Sequence, residues 1–271
     1  GNKVDRVADA QILAFSREFG IKALDDHIET TINSIRYFVY NNEKTARIIE
    51  GFDNLKGNIK IPENVTINGK TYKVTIIDAN AFSNINAITS VELPDTIKSI
   101  RANAFSNTGI KEMRIPDSVE EIDTYAFGYT GERNEKTGEI IINKVPGFLI
   151  YANSKNIASQ YAYDNGFTLV SEKVAAKIKV KAKAKRKKNR RVYLKWKTKK
   201  YADGYQIYKS KTKKGKYKKV KTLNSKTANN WTSKKIKKKT KKVFYKVRSF
   251  TLIGGKKVYG KWSKVVRVKF K

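Results

Sequence analysis

The chain of 271 residues contains no cysteine, which excludes disulfides and thiolate metal sites. It has one histidine, one methionine and four prolines. There is no G-x-S-x-G turn and no second histidine, so the common nucleophile arrangements are missing. No apolar run approaches the ~20 residues of a membrane span, and no signal peptide is visible. Acidic side chains are the most unevenly absent class. From Lys173 to Lys271 there are 40 Lys+Arg and one acid, Asp203, a net charge of +39, whereas residues 1–172 carry −4. The chain is two electrostatic objects joined near Glu172, and the asymmetry points to a negatively charged partner at one end.

What is present in the basic part is a set of strands. In AAKIKVKAKAK, Ile178, Val180, Ala182 and Ala184 alternate with Lys179, Lys181, Lys183 and Lys185, the period-two pattern of a strand with one wet face. RKKNRR is a polar turn with Asn189 near its tip. Val192, Leu194 and Trp196 then share a face, and GYQIY (204–208), KYKKVKTL (216–223), VFYKVRSF (243–250) and VVRVKF (265–270) follow. The three tryptophans sit at strand positions. Gly204, Gly215 and Gly254-Gly255 punctuate the runs. About seven short strands in roughly a hundred residues indicate a β-sandwich. In KSKTKKGKYKKVKT (209–222) the chain turns near Gly215. Tyr217 and Val220 are three apart there, so either one of them faces out or a bulge intervenes.

Trp196, Tyr205, Ile207, the set Val243, Tyr245, Val247 and Ser249, and the Gly260-x-x-Ser263 step fall in order at sandwich spacings. Over about 175–271 they resemble a fibronectin type III domain of the kind found on clostridial-type surface proteins.

In the acidic part three segments stack: VTIIDANAF, IKSIRANAF and VEEIDTYAF. Each carries Ile-x-x-x-Ala-Phe, at Ile77/Phe82, Ile100/Phe105 and Ile122/Phe127, with phenylalanines 23 and 22 residues apart. A fixed period with one apolar set per turn means a solenoid in which stacking builds the core. These six residues are expected to be structural. INGKTYKV (67–74) is an insertion with an Asn68-Gly69 hairpin turn. The polar stretch 128–139 interrupts the period as an exposed loop or a plain hairpin tip.

IPDSVEEIDTYAF is similar to the leucine-rich repeats of BspA-type bacterial surface antigens, and the resemblance covers about 35–170. IRYFVYNNEKTARIIEGF is similar to the hairpin that opens such modules, turning at Asn41-Asn42. FLIYANSKNIASQYAYDNGFTLV looks like their closing element, a strand and a short helix ending at Gly166. Residues 8–24 align with that closing element when Gly20 is set on Gly166. A cap at the start implies that repeats precede it in a longer, multi-module surface protein, with the signal peptide upstream. The expected organisation is mainly β: a cap remnant and linker over 1–34, a short leucine-rich-repeat solenoid with capping helices over 35–172, and a basic fibronectin type III-like sandwich over 173–271.

Candidate chemistry is sparse. His27 stands beside Asp25, Asp26 and Glu29, but one histidine among linker acids is not a preset metal shell. Glu120, Glu121 and Asp123 flank the solenoid residues Val119 and Ile122 and read as a solvated rim rather than a catalytic pair. No catalytic, metal or cofactor residues are expected, and the chain reads as non-enzymatic.

The lysines carry the functional expectation. Disorder conflicts with the apolar alternation. Genome bias would explain Lys over Arg, but not the loss of acids. Selection for a polyanion explains both the charge and the folded pattern. With 35 lysines and five arginines after residue 172, point-charge attraction is favoured over sequence-specific nucleic-acid reading, which prefers the arginine fork. The densest candidates are Lys185, Arg186, Lys187, Lys188, Arg190 and Arg191; Lys213, Lys214, Lys216, Lys218, Lys219 and Lys221; and Lys234, Lys235, Lys237, Lys238, Lys239, Lys241 and Lys242. The sequence alone leaves open which of them share a face. The resemblances imply an extracellular, surface-held adhesion protein whose repeats present a ligand surface to an unknown protein; the charge split implies that the basic domain is held on an anionic cell wall polymer. Two alternatives stand beside it. The basic domain could bind host sulfated glycans, extracellular matrix or nucleic acid, or both modules could serve a larger surface enzyme.

Overall fold

The computed structural model describes residues 27–40 and 42–270; the stretch 8–24, aligned above with the closing element, lies outside them. The chain divides into two compact units. One comprises the described residues up to Met113 with Ser118–Phe148; the other comprises Arg114–Asp117 with Leu149–Lys271.

The first unit opens with β1 (His27–Ile32), β2 (Ile35–Tyr40) and β3 (Thr45–Gly51), an antiparallel meander. β1 thus begins inside the stretch read as linker, and His27 stacks on Phe38 at 4.6 Å. β4 (Gly57–Lys60) follows, then β5 (Asn64–Ile67) and β6 (Lys70–Ile77), paired as a hairpin through Asn68 and Gly69. Both turn residues have positive φ, 49° and 75°, the left-handed pair a two-residue hairpin demands. Beyond come β7 (Ile88–Glu92), β8 (Ser99–Ile100), β9 (Glu112–Arg114), β10 (Glu121–Ile122), β11 (Tyr129–Arg133) and β12 (Ile140–Lys144); Arg114, the last residue of β9, belongs to the second unit.

After the meander the sheet runs β3-β6-β8-β10 in parallel, and β4 pairs parallel with β7. Register aligns the repeat: Ile48 lies opposite Ile77, Ile77 opposite Ile100, and Ile100 opposite Ile122. Phe82 and Phe105 stack at 5.2 Å with planes 9° apart, and Phe127 stacks on Phe148 at 6.1 Å. All four rings are buried. The coils are tied by main-chain bonds, Phe82 N–H to Ala104 O and Phe105 N–H to Ala126 O, both 2.8 Å. The stretch 128–139 resolves into the hairpin β11–β12.

In the second unit β13 (Leu149–Tyr151) pairs parallel with β14 (Thr168–Val170), and α1 (Ile157–Asp164) lies between them in sequence. Asn156 caps α1 by accepting from Ser159 N–H, and Gly166 at φ 66° follows it. Phe167 N–H returns to Ala162 O at 2.8 Å, a glycine-closed helix end. Next is α2 (Glu172–Lys177), and the strand read over the alternation from Ile178 begins only at Ala182, after an isolated bridge of Lys179 with Lys261. Glu172 stands in the first turn of α2, where an acid favours a helix, and Val-Ala-Ala-Lys supplies two alanines; the lysine alternation begins only at Ile178.

The sandwich has one sheet of β15 (Ala182–Lys187), β16 (Arg191–Trp196) and β19 (Asn230–Thr232). The other contains β17 (Gly204–Ser210), β18 (Lys218–Leu223), β20 (Lys242–Ile253), β21 (Lys256–Tyr259) and β22 (Val266–Lys269). Val192, Leu194, Trp196, Tyr205, Ile207, Val243, Tyr245 and Val247 pack into its core. Asn189, at φ 56°, turns β15 into β16. Ser263 Oγ accepts from Val247 N–H and Gly260 N–H donates to Ser249 O, both at 3.0 Å, so the Gly-x-x-Ser step is stitched to β20. Ile207 lies opposite Lys221 and Tyr208 opposite Lys219. Val220 is therefore the extra residue of a bulge and is 40% exposed. Trp196 and Trp231 are on strands, but Trp262 lies just outside one.

Candidate functional site

The basic candidates fall on three connections of the sandwich. Lys185, Arg186 and Lys187 end β15, Lys188 and Arg190 lie in the turn, and Arg191 starts β16. Lys213, Lys214 and Lys216 lie in the β17–β18 connection, and Lys218, Lys219 and Lys221 on β18. Lys234, Lys235, Lys237, Lys238, Lys239 and Lys241 lie in the β19–β20 connection, and Lys242 opens β20. All are exposed except Arg190, which is half-buried.

Two of these runs, distant in sequence, meet. A groove of about 800 Å³ is lined on one side by Lys209, Lys211, Lys216 and Lys218, and on the other by Lys235, Lys237 and Lys239. Ser210, Thr212 and Thr240 add hydroxyls, and Val220, Ile236 and Val243 an apolar floor. Burial, then Lys211, lowers the Lys209 pKa. With Asp203 the sole acid from residue 173 onward, the lysines of this segment have almost no local countercharge to pair with.

The groove is built by the core beneath it. Ile236 is buried with the sandwich core, and its N–H donates to Arg190 O at 2.9 Å. Ser233 Oγ accepts from Val192 N–H and donates to Lys234 O. Arg190 reaches across the β19–β20 connection, donating to Ile236 O, Lys237 O, Lys238 O and Thr240 O at 3.4, 3.3, 3.0 and 2.7 Å. Its guanidinium also covers the Phe270 ring at 4.8 Å. Arg190 therefore positions the lysines of the other run. Lys185 and Lys187 lie over Tyr193, and neither lines the groove. On the opposite hand of the groove, Gly215 makes the tight β17–β18 turn, where a Cβ would collide with Thr212.

Lys209 and Lys211 were not among the candidates. They lie before the dense KK pairs, and their signal is that they bracket Ser210, the last residue of β17. A second basic feature was also missed. Arg248 lies over Tyr259 at 3.7 Å and over Trp262 at 4.5 Å, and Lys246 lies over Trp262 at 4.0 Å and Tyr217 at 4.6 Å. Arg248 also donates to Gln206 Oε1 at 2.9 Å. This stack of alternating rings and cations absorbs two charges that would otherwise repel the rest. Burial, then Arg248, lowers the Lys246 pKa.

The groove offers ammonium groups and hydroxyls in an open channel. Its charges are lysine point charges rather than the planar fork of arginine.

Among solved structures, the chain is similar to a leucine rich cell surface protein from Faecalibacterium prausnitzii A2-165, at 31% identity and TM-score 0.33 over 37% of this chain and 27% of that one. It is also similar to pectate lyase Pel3 from Pectobacterium carotovorum, at 18% identity and TM-score 0.29 over 34% and 27%. A third is an Fn3-like protein from Clostridium thermocellum, at 20% identity and TM-score 0.28 over 35% of this chain and 98% of that one. The chain spans about a quarter of the length of the first two. No curated protein matches it. Residues 54–143 match, in six copies, the family of the BspA type leucine rich repeat region.

Proposed function

We propose that the chain is a non-enzymatic, extracellular cell-surface binding protein. Its repeats present a ligand surface, and its lysine-rich sandwich holds an anionic cell wall polymer. The observation that carries the second half is the convergence of Lys209–Lys218 and Lys235–Lys239 on one groove of about 800 Å³. The repeat half is supported by the match of residues 54–143 to the BspA type repeat region.

A wall polymer of phosphodiesters is a flexible line of single negative charges, and lysines on two facing connections suit it. Three polyanions separate the readings. The full chain is titrated with purified wall polymer, heparin and duplex DNA as salt rises. The proposal expects the wall polymer to bind best and to be released by salt, because counterion release drives such contacts. Tighter binding of heparin or DNA moves the assignment to those partners. Binding to none at ~50 mM salt, where such contacts are strongest, defeats the polyanion reading.

A further inference from the structure

A second concavity lies wholly in the first unit, and its chemistry is different. It is a cleft of about 440 Å³ between the solenoid turns and the inner face of the β11–β12 hairpin. One wall is a ladder built by the repeat. Asn80, Asn103 and Tyr125 occupy the same place in three successive coils, each just before the Ala-Phe pair. All three have positive φ, 60°, 55° and 57°. Asparagine tolerates that conformation, and tyrosine rarely adopts it. The third coil thus places a half-buried aromatic ring in the cleft where the first two place amides.

The other wall is held in place. Asn107 Nδ2 donates to Asn84 Oδ1 at 2.7 Å, and Asn107 Oδ1 accepts from Gly131 N–H at 2.6 Å. These bonds moor β11 to the ladder. β12 then presents Ile140 and Ile142 to the cleft, 70% and 43% exposed. Isoleucines this bare on one strand mark a contact surface.

We infer that this cleft is a binding site for a neutral oligosaccharide segment. The inference rests on the proposed role of the repeats as the ligand-presenting half, and names their ligand class. Amide side chains donate and accept at once, as sugar hydroxyls do. The Tyr125 ring and the two isoleucines match the C–H faces of a sugar. Arg133 is the one charged side chain in the lining, so the cleft lacks the charge a polyanion needs. An extended peptide would bind by pairing with backbone groups, but the ladder backbone is spent. Asn80 N–H, Phe82 N–H and Asn84 N–H donate to the next coil's Ala102, Ala104 and Ser106 carbonyls at 2.9, 2.8 and 3.0 Å. The cleft volume is within the range of small-ligand sites.

The test uses the full chain with isoleucine methyl groups labelled for NMR. Neutral hexamers of β1,4-glucose, α1,4-glucose and β1,4-N-acetylglucosamine are titrated to millimolar concentration, at ~50 and ~500 mM salt. At least one is expected to shift the Ile140 and Ile142 methyls equally at both salt concentrations. Tyr125→Asn restores the residue type of the other coils, so it keeps the fold while removing the ring; it is expected to weaken binding by at least about tenfold. Three results overturn the inference: no saccharide shifts those methyls; Tyr125→Asn binds as well as the parent; or a neutral Thr-Val hexapeptide shifts them and no saccharide does. Each leaves the basic groove untouched, because polyanion binding is read separately by its loss with salt.

Discussion

The Arg114 guanidinium donates to Asp203 Oδ1 at 2.7 Å, while Asp203 Oδ2 accepts from Leu252 N–H at 2.7 Å. Asp203 is the one acid among the 40 bases that follow Glu172. Arg114 also donates to Leu252 O at 2.9 Å and lies 4.0 Å over the Tyr151 ring. The sole carboxylate of the basic segment is therefore structural. It satisfies a backbone N–H at the end of β20 and a half-buried arginine, beside the apolar cluster of Tyr151, Val170, Ala175 and Ile253.

Truncating Arg114 to Ala leaves the Asp203 carboxylate short of a partner. The second unit is expected to lose about 1–3 kcal/mol of stability. Asp203→Asn, which keeps the shape, should cost less, and the double variant should cost less than the sum. Denaturant unfolding of the four proteins measures the coupling.

The phenylalanine stack carries the solenoid. Phe105→Ala opens a cavity between Phe82 and the coil beyond it, and is expected to cost about 3–5 kcal/mol. Changing Asn84, an exposed residue at the edge of the same coils, to Asp should cost under about 1 kcal/mol. Unfolding midpoints monitored by circular dichroism compare the two.

Burial pushes the Tyr37 hydroxyl pKa up to about 12 from 10.0. In the unfolded chain the phenol ionises near pH 10, so below that pH the group does not alter stability. As pH rises from about 10 to about 12 the unfolded state releases a proton that the folded state keeps, and stability falls. Tyr37→Phe should flatten that decline in the first unit. Equilibrium unfolding across pH 9–12, with phenolate absorbance as the second probe, gives the difference.

Arg190 is expected to act by holding the lysine loop rather than by touching the polyanion. Arg190→Lys keeps the charge but loses the fork that spans the carbonyls of residues 236–240. Hydrogen exchange across residues 234–241 should quicken, and polyanion affinity should fall by roughly three- to tenfold although net charge is unchanged. Arg186→Lys, at an exposed site outside the groove lining, should do neither.

The features legible in the sequence were those whose physics is local. Asn68-Gly69 and Asn189 declared their turns through the φ they tolerate. The isoleucines and phenylalanines of three coils declared the solenoid, because each must stack on its neighbour's copy. The α2 helix was hidden because Ala175 and Ala176 merge into the lysine alternation that follows. Spacing could not choose between an outward Val220 and a bulge; the β17–β18 register shows the bulge that turns Val220 outward. The groove was half legible. Charge density marked Lys213–Lys221 and Lys234–Lys242, but which lysines face one another depends on the pairing of β17 with β20 and on Arg190, neither of which leaves a linear trace. The oligosaccharide cleft was illegible, since it arises from a hairpin folding back over a ladder of turns.

The most direct test of the account is a salt titration of the full chain on a purified glycerol-phosphate wall polymer, beside a variant carrying Lys216→Gln, Lys218→Gln, Lys235→Gln and Lys237→Gln. The lysine groove predicts that log affinity falls linearly with log salt. The variant should bind more weakly and with a slope shallower by roughly 2–4 units, as expected for the loss of four charge contacts. A variant with the parent's affinity and slope, or a parent with no binding at ~50 mM salt, would contradict it.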